Sequence, residues 1–287
     1  MMKRAFIALA AALAISGAAI PPGLAAAAPA TSPARVMSLN LCTDQLLLVL
    51  LPRERITSVS FLSLSSQNAV FTAEAAGVPV NYGSLEEVFV QMPDLVIAGT
   101  ATTPTARGLL SRSRIPLLQV PPAENFDQIR SVTRLVSRAV GEELKGEALI
   151  QHMDRTLAEL AATTPARRIV VAGWESAGEI PARGTLFDAI LTAAGAVNVG
   201  AGKGNLGVYD IEQLLMARPE VLAFADSATA RPGLRSEQLR HPILRALYRG
   251  REITYPETLL SCGLPQSADA AKELRQALIE AMARPAR

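Results

Sequence analysis

Histidine, cysteine and aromatic side chains are scarce in this chain of 287 residues: two histidines, two cysteines, one tryptophan, and 4% aromatics overall. The two histidines, His152 and His241, are too few and too dispersed to build a bare zinc or copper centre on several imidazoles. His152 reads as a helix-flank residue. A hydrolase needs a nucleophile beside a base, and with these histidines the supply of bases is thin. There is no G-x-S-x-G elbow, since Ser176 has Trp174 two residues before it; a P-loop and an H-E-x-x-H pair are also missing. The run Gly202-Lys203-Gly204-Asn205-Leu206-Gly207 has the G-x-G-x-x-G spacing but leads into no helix at once, so it is not read as a nucleotide site. An excess of either charge is lacking as well. Lys and Arg number 28 against 26 Asp and Glu, which argues against a nucleic-acid partner.

What is present begins with a secretory pattern. Met1-Met2-Lys3-Arg4 is a charged start, Ala5 to Ile20 is apolar, and small residues continue through Ala28. Residues 1–28 are expected to be a signal peptide cleaved among Ala25 to Ala28. No cysteine stands near that point, so no lipid anchor is expected. No later segment is long and apolar enough to span a bilayer. The expected location is the periplasm. About 260 residues remain, enough for two modest domains.

One sequence unit occurs twice. Ser84-Leu85-Glu86-Glu87-Val88 through Pro93-Asp94-Leu95-Val96-Ile97 returns 126 residues later as Asp210-Ile211-Glu212-Gln213-Leu214 through Pro219-Glu220-Val221-Leu222-Ala223. An offset that long indicates a repeated domain rather than a solenoid. Each copy opens on a helix cap, Ser84 or Asp210, with Glu87 or Gln213 placed to complete a capping box. A short helix follows, proline stops it, and an apolar run reads as a buried parallel strand. Glu86 and Glu212 are not the box partners. Either they only favour the helix dipole, or they form a matched pair of docking acids for a two-fold partner bearing arginines.

Strand patterns alternating with helices on both sides of the chain predict parallel α/β layers. Between them, Asn125 to Leu160 reads as two helices, the second near Glu142 to Ala162 and about 30 Å long, a stiff connector. The expected organisation is an N-terminal lobe over 33–141, a connecting helix over 142–163 and a C-terminal lobe over 164–287. Ligands in open α/β sheets bind at the loops after the strands. Those loops offer Asn40, Cys42, Phe61, Tyr82 and Thr100 in the first lobe, and Trp174, Tyr209 and Cys262 in the second. Hydroxyls, a few aromatics and little charge suit a bulky, partly apolar organic ligand. Trp174 reads equally as a core filler. The cysteines leave three readings open: a disulfide between the lobes, ligand-facing thiols, or unrelated buried thiols.

The opening Ser38-Leu39-Asn40-Leu41-Cys42-Thr43-Asp44-Gln45, the paired repeat and the turn Ala194-Gly195-Ala196-Val197-Asn198 resemble the periplasmic binding proteins of ABC importers for vitamin B12, iron–siderophores and haem. The resemblance covers nearly the whole mature chain. It implies two Rossmann-like lobes joined by a single rigid α-helix, the class III architecture, with small lobe movements on binding. It also implies no catalysis, no cofactor, and a monomer that hands its ligand to a permease dimer through one glutamate per lobe, which here fall on Glu86 and Glu212. Tyr82 falls where B12-binding members place an aromatic contact. Gly99 departs from the pattern, standing where they carry a second tryptophan. The expectation is a receptor for a cobalamin-like, haem or ferric-siderophore ligand. The alternatives are a free soft-metal receptor using Cys42 and Cys262, or an exported hydrolase in the same cleft.

Overall fold

Two parallel sheets, each with one copy of the repeat at its centre, make up the protein. The computed structural model describes residues 32–67, 69–100, 108–110, 112–165, 167–174, 180–202, 211–226 and 241–284. The expected leader at 1–28, the glycine-rich run from 203 onward, and Tyr209 lie outside the described residues.

The first sheet has the order β3-β2-β1-β4-β5, from β1 (Val36–Ser38), β2 (Ile56–Ser60), β3 (Val80–Asn81), β4 (Leu95–Gly99) and β5 (Leu117–Val120). The second has the order β7-β6-β8-β9, from β6 (Ile169–Trp174), β7 (Ala196–Asn198), β8 (Val221–Ala225) and β9 (Glu252–Tyr255). Every pairing is parallel. The helices are α1 (Leu41–Leu50), α2 (Thr72–Ala75), α3 (Leu85–Gln91), α4 (Phe126–Val140), α5 (Glu143–Ala162), α6 (Leu186–Ala193), α7 (Ile211–Ala217), α8 (Pro242–Leu247), α9 (Thr258–Ser261) and α10 (Ser267–Ala283). These are two Rossmann-like α/β lobes, the class III arrangement.

The repeat is a repeat of physics as well as of letters. In α3, Ser84 accepts from the Glu87 N–H at 3.2 Å and the Glu87 carboxylate accepts from the Ser84 N–H at 3.0 Å, a complete capping box. Both helices end in the left-handed region on a residue other than glycine: Met92 at φ 46° and Arg218 at φ 49°, 126 residues apart. The acid after each proline then pins the lobe's first strand. The Asp94 carboxylate accepts from the N–H groups of Ala34 and Arg35, and its own N–H donates to the Arg35 carbonyl at 2.8 Å. In the second lobe the Glu220 carboxylate accepts from the Val170 N–H, and its own N–H donates to the Val170 carbonyl at 2.7 Å.

The connection between the lobes involves more than α5. Helix α4 contributes Ile129 and Phe126 to the apolar core of the second lobe, and Val132, Val136 and Val140 to that of the first. Helix α5 places Ile150, Met153 and Leu160 in the second core. Arg275 on α10 is buried and closes the seam, donating to the carbonyls of Leu160, Ala193 and Ala194 at the ends of α5 and α6.

Three local boundaries are set by side chains and pairing. Helix α1 starts at Leu41, because the Asn40 side chain caps it, accepting from the N–H groups of Cys42 at 3.0 Å and Thr43 at 3.4 Å. Cys42 and Asp44 therefore sit on a helix. Strand β6 runs through Gly173 to Trp174, since its ladder with β8 extends to the pair Trp174 and Phe224. Ser267 is the first residue of α10 rather than its cap; its hydroxyl instead accepts from the Leu264 N–H.

Candidate functional site

A cavity of about 320 Å³ opens between the lobes at the C-terminal ends of the first sheet's strands. The end of β1 supplies Asn40, Cys42 and Thr43. The end of β4 supplies Gly99 and Thr100, and the end of β5 supplies Pro121, Pro122 and Glu124. The second lobe faces them with Thr185 and Leu186 at the start of α6 and with Leu260 to Gly263. Apolar surface dominates, with a few hydroxyls and one carboxylate.

Cys42 and Cys262, both on this wall, form a disulfide that closes a separation of 220 residues. That settles the cysteine question and removes the soft-metal alternative, because both thiolates such a site needs are consumed. Among the described residues no group of three or more His, Cys, Asp and Glu is arranged to hold a metal ion. Cys262 and Leu264 pack into the core of the first lobe, so the chain crosses back over the cleft at this point. The crossing is close: a Cβ on Gly263 would lie 2.1 Å from the Ala123 carbonyl oxygen, which only glycine avoids. Gly99 is similarly constrained. A Cβ there would come within 3.1 Å of the Asn40 amide, so a large side chain at 99 is incompatible with Asn40 as it caps α1.

Phe61 and Tyr82 do not line this cavity. They stand on the same sheet edge, after β2 and β3, where their rings stack at 5.2 Å between centroids and 23° between planes. Both rings are bare, Phe61 46% exposed and Tyr82 73%. The expectation for Trp174 on a ligand loop is corrected. It is 1% exposed, packed with Ala172, Ile180, Leu214, Leu222 and Phe224 in the interior of the second lobe. Glu86 and Glu212 are exposed, each the second residue of its helix. Four residues further along the same helices, Val90 and Met216 are 84% and 74% exposed, again an equivalent pair.

The sequence reading missed Pro121, Pro122, Glu124, Thr185 and Gly263. Pro121, Pro122 and Glu124 were within reach of the strand-end rule applied to β5; Thr185 and Gly263 arrive from the second lobe by packing alone. Neither histidine takes part. His152 pairs with Asp269 across α5 and α10, and His241 caps α8, its Nδ1 accepting from the Ile243 N–H.

The family model for periplasmic binding proteins matches residues 36–257. No curated protein matched the chain significantly. Among solved structures, the apo periplasmic haem-binding protein RhuT from Roseiflexus sp. RS-1 superposes with a TM-score of 0.73 at 22% identity, over 86% of this chain and 98% of that one. The haem-binding protein HutB of Vibrio cholerae gives 0.73 at 16%, over 85% and 98%. The vitamin B12 binding protein BtuF of Vibrio cholerae gives 0.67 at 19%, over 88% and 99%.

Proposed function

The chain belongs to the periplasmic binding protein family, and from that premise we propose that it captures a cobalamin-like, haem or ferric-siderophore ligand in the interlobe cleft and delivers it to an ABC permease. Members of this family are binding components of importers and not enzymes, so the hydrolase alternative falls. The observation that carries the ligand class is the pairing of the cavity with the bare Phe61–Tyr82 stack on one sheet edge. At about 320 Å³ the enclosed part lies at the bottom of the range for small-molecule sites. A macrocyclic ligand would extend from it toward the rings. RhuT and HutB are haem-binding proteins and BtuF is a vitamin B12 binding protein, which supports the same class.

In this reading residues 33–141 and 164–287 are the lobes and 142–163 the connector, with α4 and the 262–264 segment crossing that division. Asn40, Cys42, Thr100 and Cys262 line the ligand's path, and Phe61 and Tyr82 contact its flat face. Glu86 and Glu212 engage arginines of a permease dimer, and the protein acts as an exported monomer. Support for the docking pair comes from the identical helix position, exposure and apolar companion of the two acids.

The test is a titration of purified protein with cobalamin, haem and ferric siderophores, followed by the absorbance of each ligand. Tryptophan fluorescence is unsuited, because Trp174 is sealed in the second lobe. Micromolar or tighter binding of one of these compounds is expected; failure of all of them removes the ligand assignment.

A further inference from the structure

Two exposed rings gain little from stacking in water, so the backbone beneath each must be held. Beneath Phe61 lies Asp44 of α1, fully buried. Its Oδ2 accepts from the Ser60 N–H at 3.0 Å, from the Ser60 hydroxyl, and from the Ser63 hydroxyl at 2.8 Å. These donors bracket Phe61, one residue before it and two after, across the single 3₁₀ turn Phe61–Leu64. Tyr82 is mounted in a parallel way. Its N–H donates to the Glu87 carboxylate at 3.0 Å, while Gly83 N–H donates to Asn81 Oδ1 at 3.1 Å.

Asp44 is an unfavourable choice for the fold alone. Its Oδ1 is buried without a hydrogen-bond partner, and burial pushes its carboxyl up to about 6 against the pull of its serine hydrogen bonds. An apolar side chain would fill the same space on α1 without that penalty. A buried ionisable group that clamps a turn bearing a bare aromatic ring belongs to a working site rather than to a core.

We propose that Asp44 is a positioning residue for ligand recognition: by clamping the turn Phe61–Leu64 it holds the Phe61 ring against Tyr82, so that the pair offers one flat apolar face to a planar conjugated part of the ligand. This rests on the reading of the cleft as the ligand site. Two measurements separate the claims. In the full-length apo protein, ring-to-ring nuclear Overhauser contacts between Phe61 and Tyr82 are expected in the wild type, lost in Asp44→Asn and weakened in Ser63→Ala. Contacts that persist in Asp44→Asn overturn the proposal, and Ser63→Ala decides in the same way if Asp44→Asn does not fold. In the titration above, with cobalamin, haem or a ferric siderophore as probe, Asp44→Asn and Phe61→Ala are each expected to weaken binding about tenfold, with no further loss in the double variant. Losses that add overturn the shared role. If no probe binds the wild type, the cleft reading fails while the ring contacts still decide whether Asp44 sets the stack.

Discussion

At the ends of its strands the first lobe buries mainly polar side chains, and in the equivalent place the second buries mainly apolar ones. Ser38, Ser60 and Asn81 are the last residues of β1, β2 and β3. They join Thr43, Asp44, Ser58 and Ser63 in a connected network: Ser38 and Thr43 hydroxyls meet at 2.6 Å, and Asn81 donates to the Ser38 carbonyl at 2.8 Å and to the Ser58 hydroxyl at 3.0 Å. Under the corresponding edge of the second lobe lie Ala172, Trp174, Leu222 and Phe224. The described exception there is Asn198, the last residue of β7, which donates to the Pro181 carbonyl and the Asp188 carboxylate and accepts from the Gly200 N–H. A hydrogen-bonded polar floor constrains geometry that an apolar core leaves adjustable. The duplicated unit thus keeps one outward face in both lobes, while among the described residues the polar floor under the rim belongs to the first lobe.

The largest expected effect tests the shared face. Charge reversal by Glu86→Arg or Glu212→Arg alone should each reduce uptake of the titrated ligand at least tenfold, and by similar factors, with affinity unchanged. One strong and one silent reversal would break the equivalence of the lobes. Next is the tie between them. Cys42→Ser with Cys262→Ser should lower stability by about 5 kcal/mol, the loop-entropy value for so long a loop, read from guanidinium midpoints. A loss under about 1 kcal/mol would show that α4 and α5 hold the lobes unaided.

A smaller effect tests the polar floor. Because the Asp44 carboxyl is raised to about 6 in the folded protein, the folded state binds more protons than the unfolded state between about pH 4 and 6. Its contribution is therefore full below pH 4 and is lost as pH rises through 6, by about 3 kcal/mol. Asp44→Asn should gain about that much on the wild type between pH 4 and 7 in paired denaturation curves; a constant difference contradicts it. The smallest effect tests the paired helix ends. Met92→Gly and Arg218→Gly should each raise stability by roughly 0.5–1 kcal/mol, since glycine adopts the left-handed region without the Cβ penalty.

Much of the fold is legible in the sequence because its signals are local. The cap at Ser84, the stop at Pro93 and Pro219, and the apolar runs of β4 and β8 each specify a few residues, and their recurrence gives the two lobes. What fails is non-local. Gly173 reads as the end of a strand, yet pairing with β8 carries β6 onward and turns Trp174 into the core. No local pattern brings Cys42 to Cys262 or Phe61 to Tyr82. Asp44 reads as part of a loop until Asn40 is recognised as a cap, and its burial depends on Ser60 and Ser63 closing over it.

Glu87 leaves one consequence in the mechanics of delivery. Its carboxylate completes the α3 capping box and anchors the Tyr82 backbone, and the burial that would raise its pKa is outweighed by the N–H groups of Ser84 and Tyr82, which hold it below the usual range. The very next residue in the same helical turn is the outward Glu86. On the proposed docking, a pull on Glu86 is passed through Glu87 to the backbone that carries the Tyr82 ring.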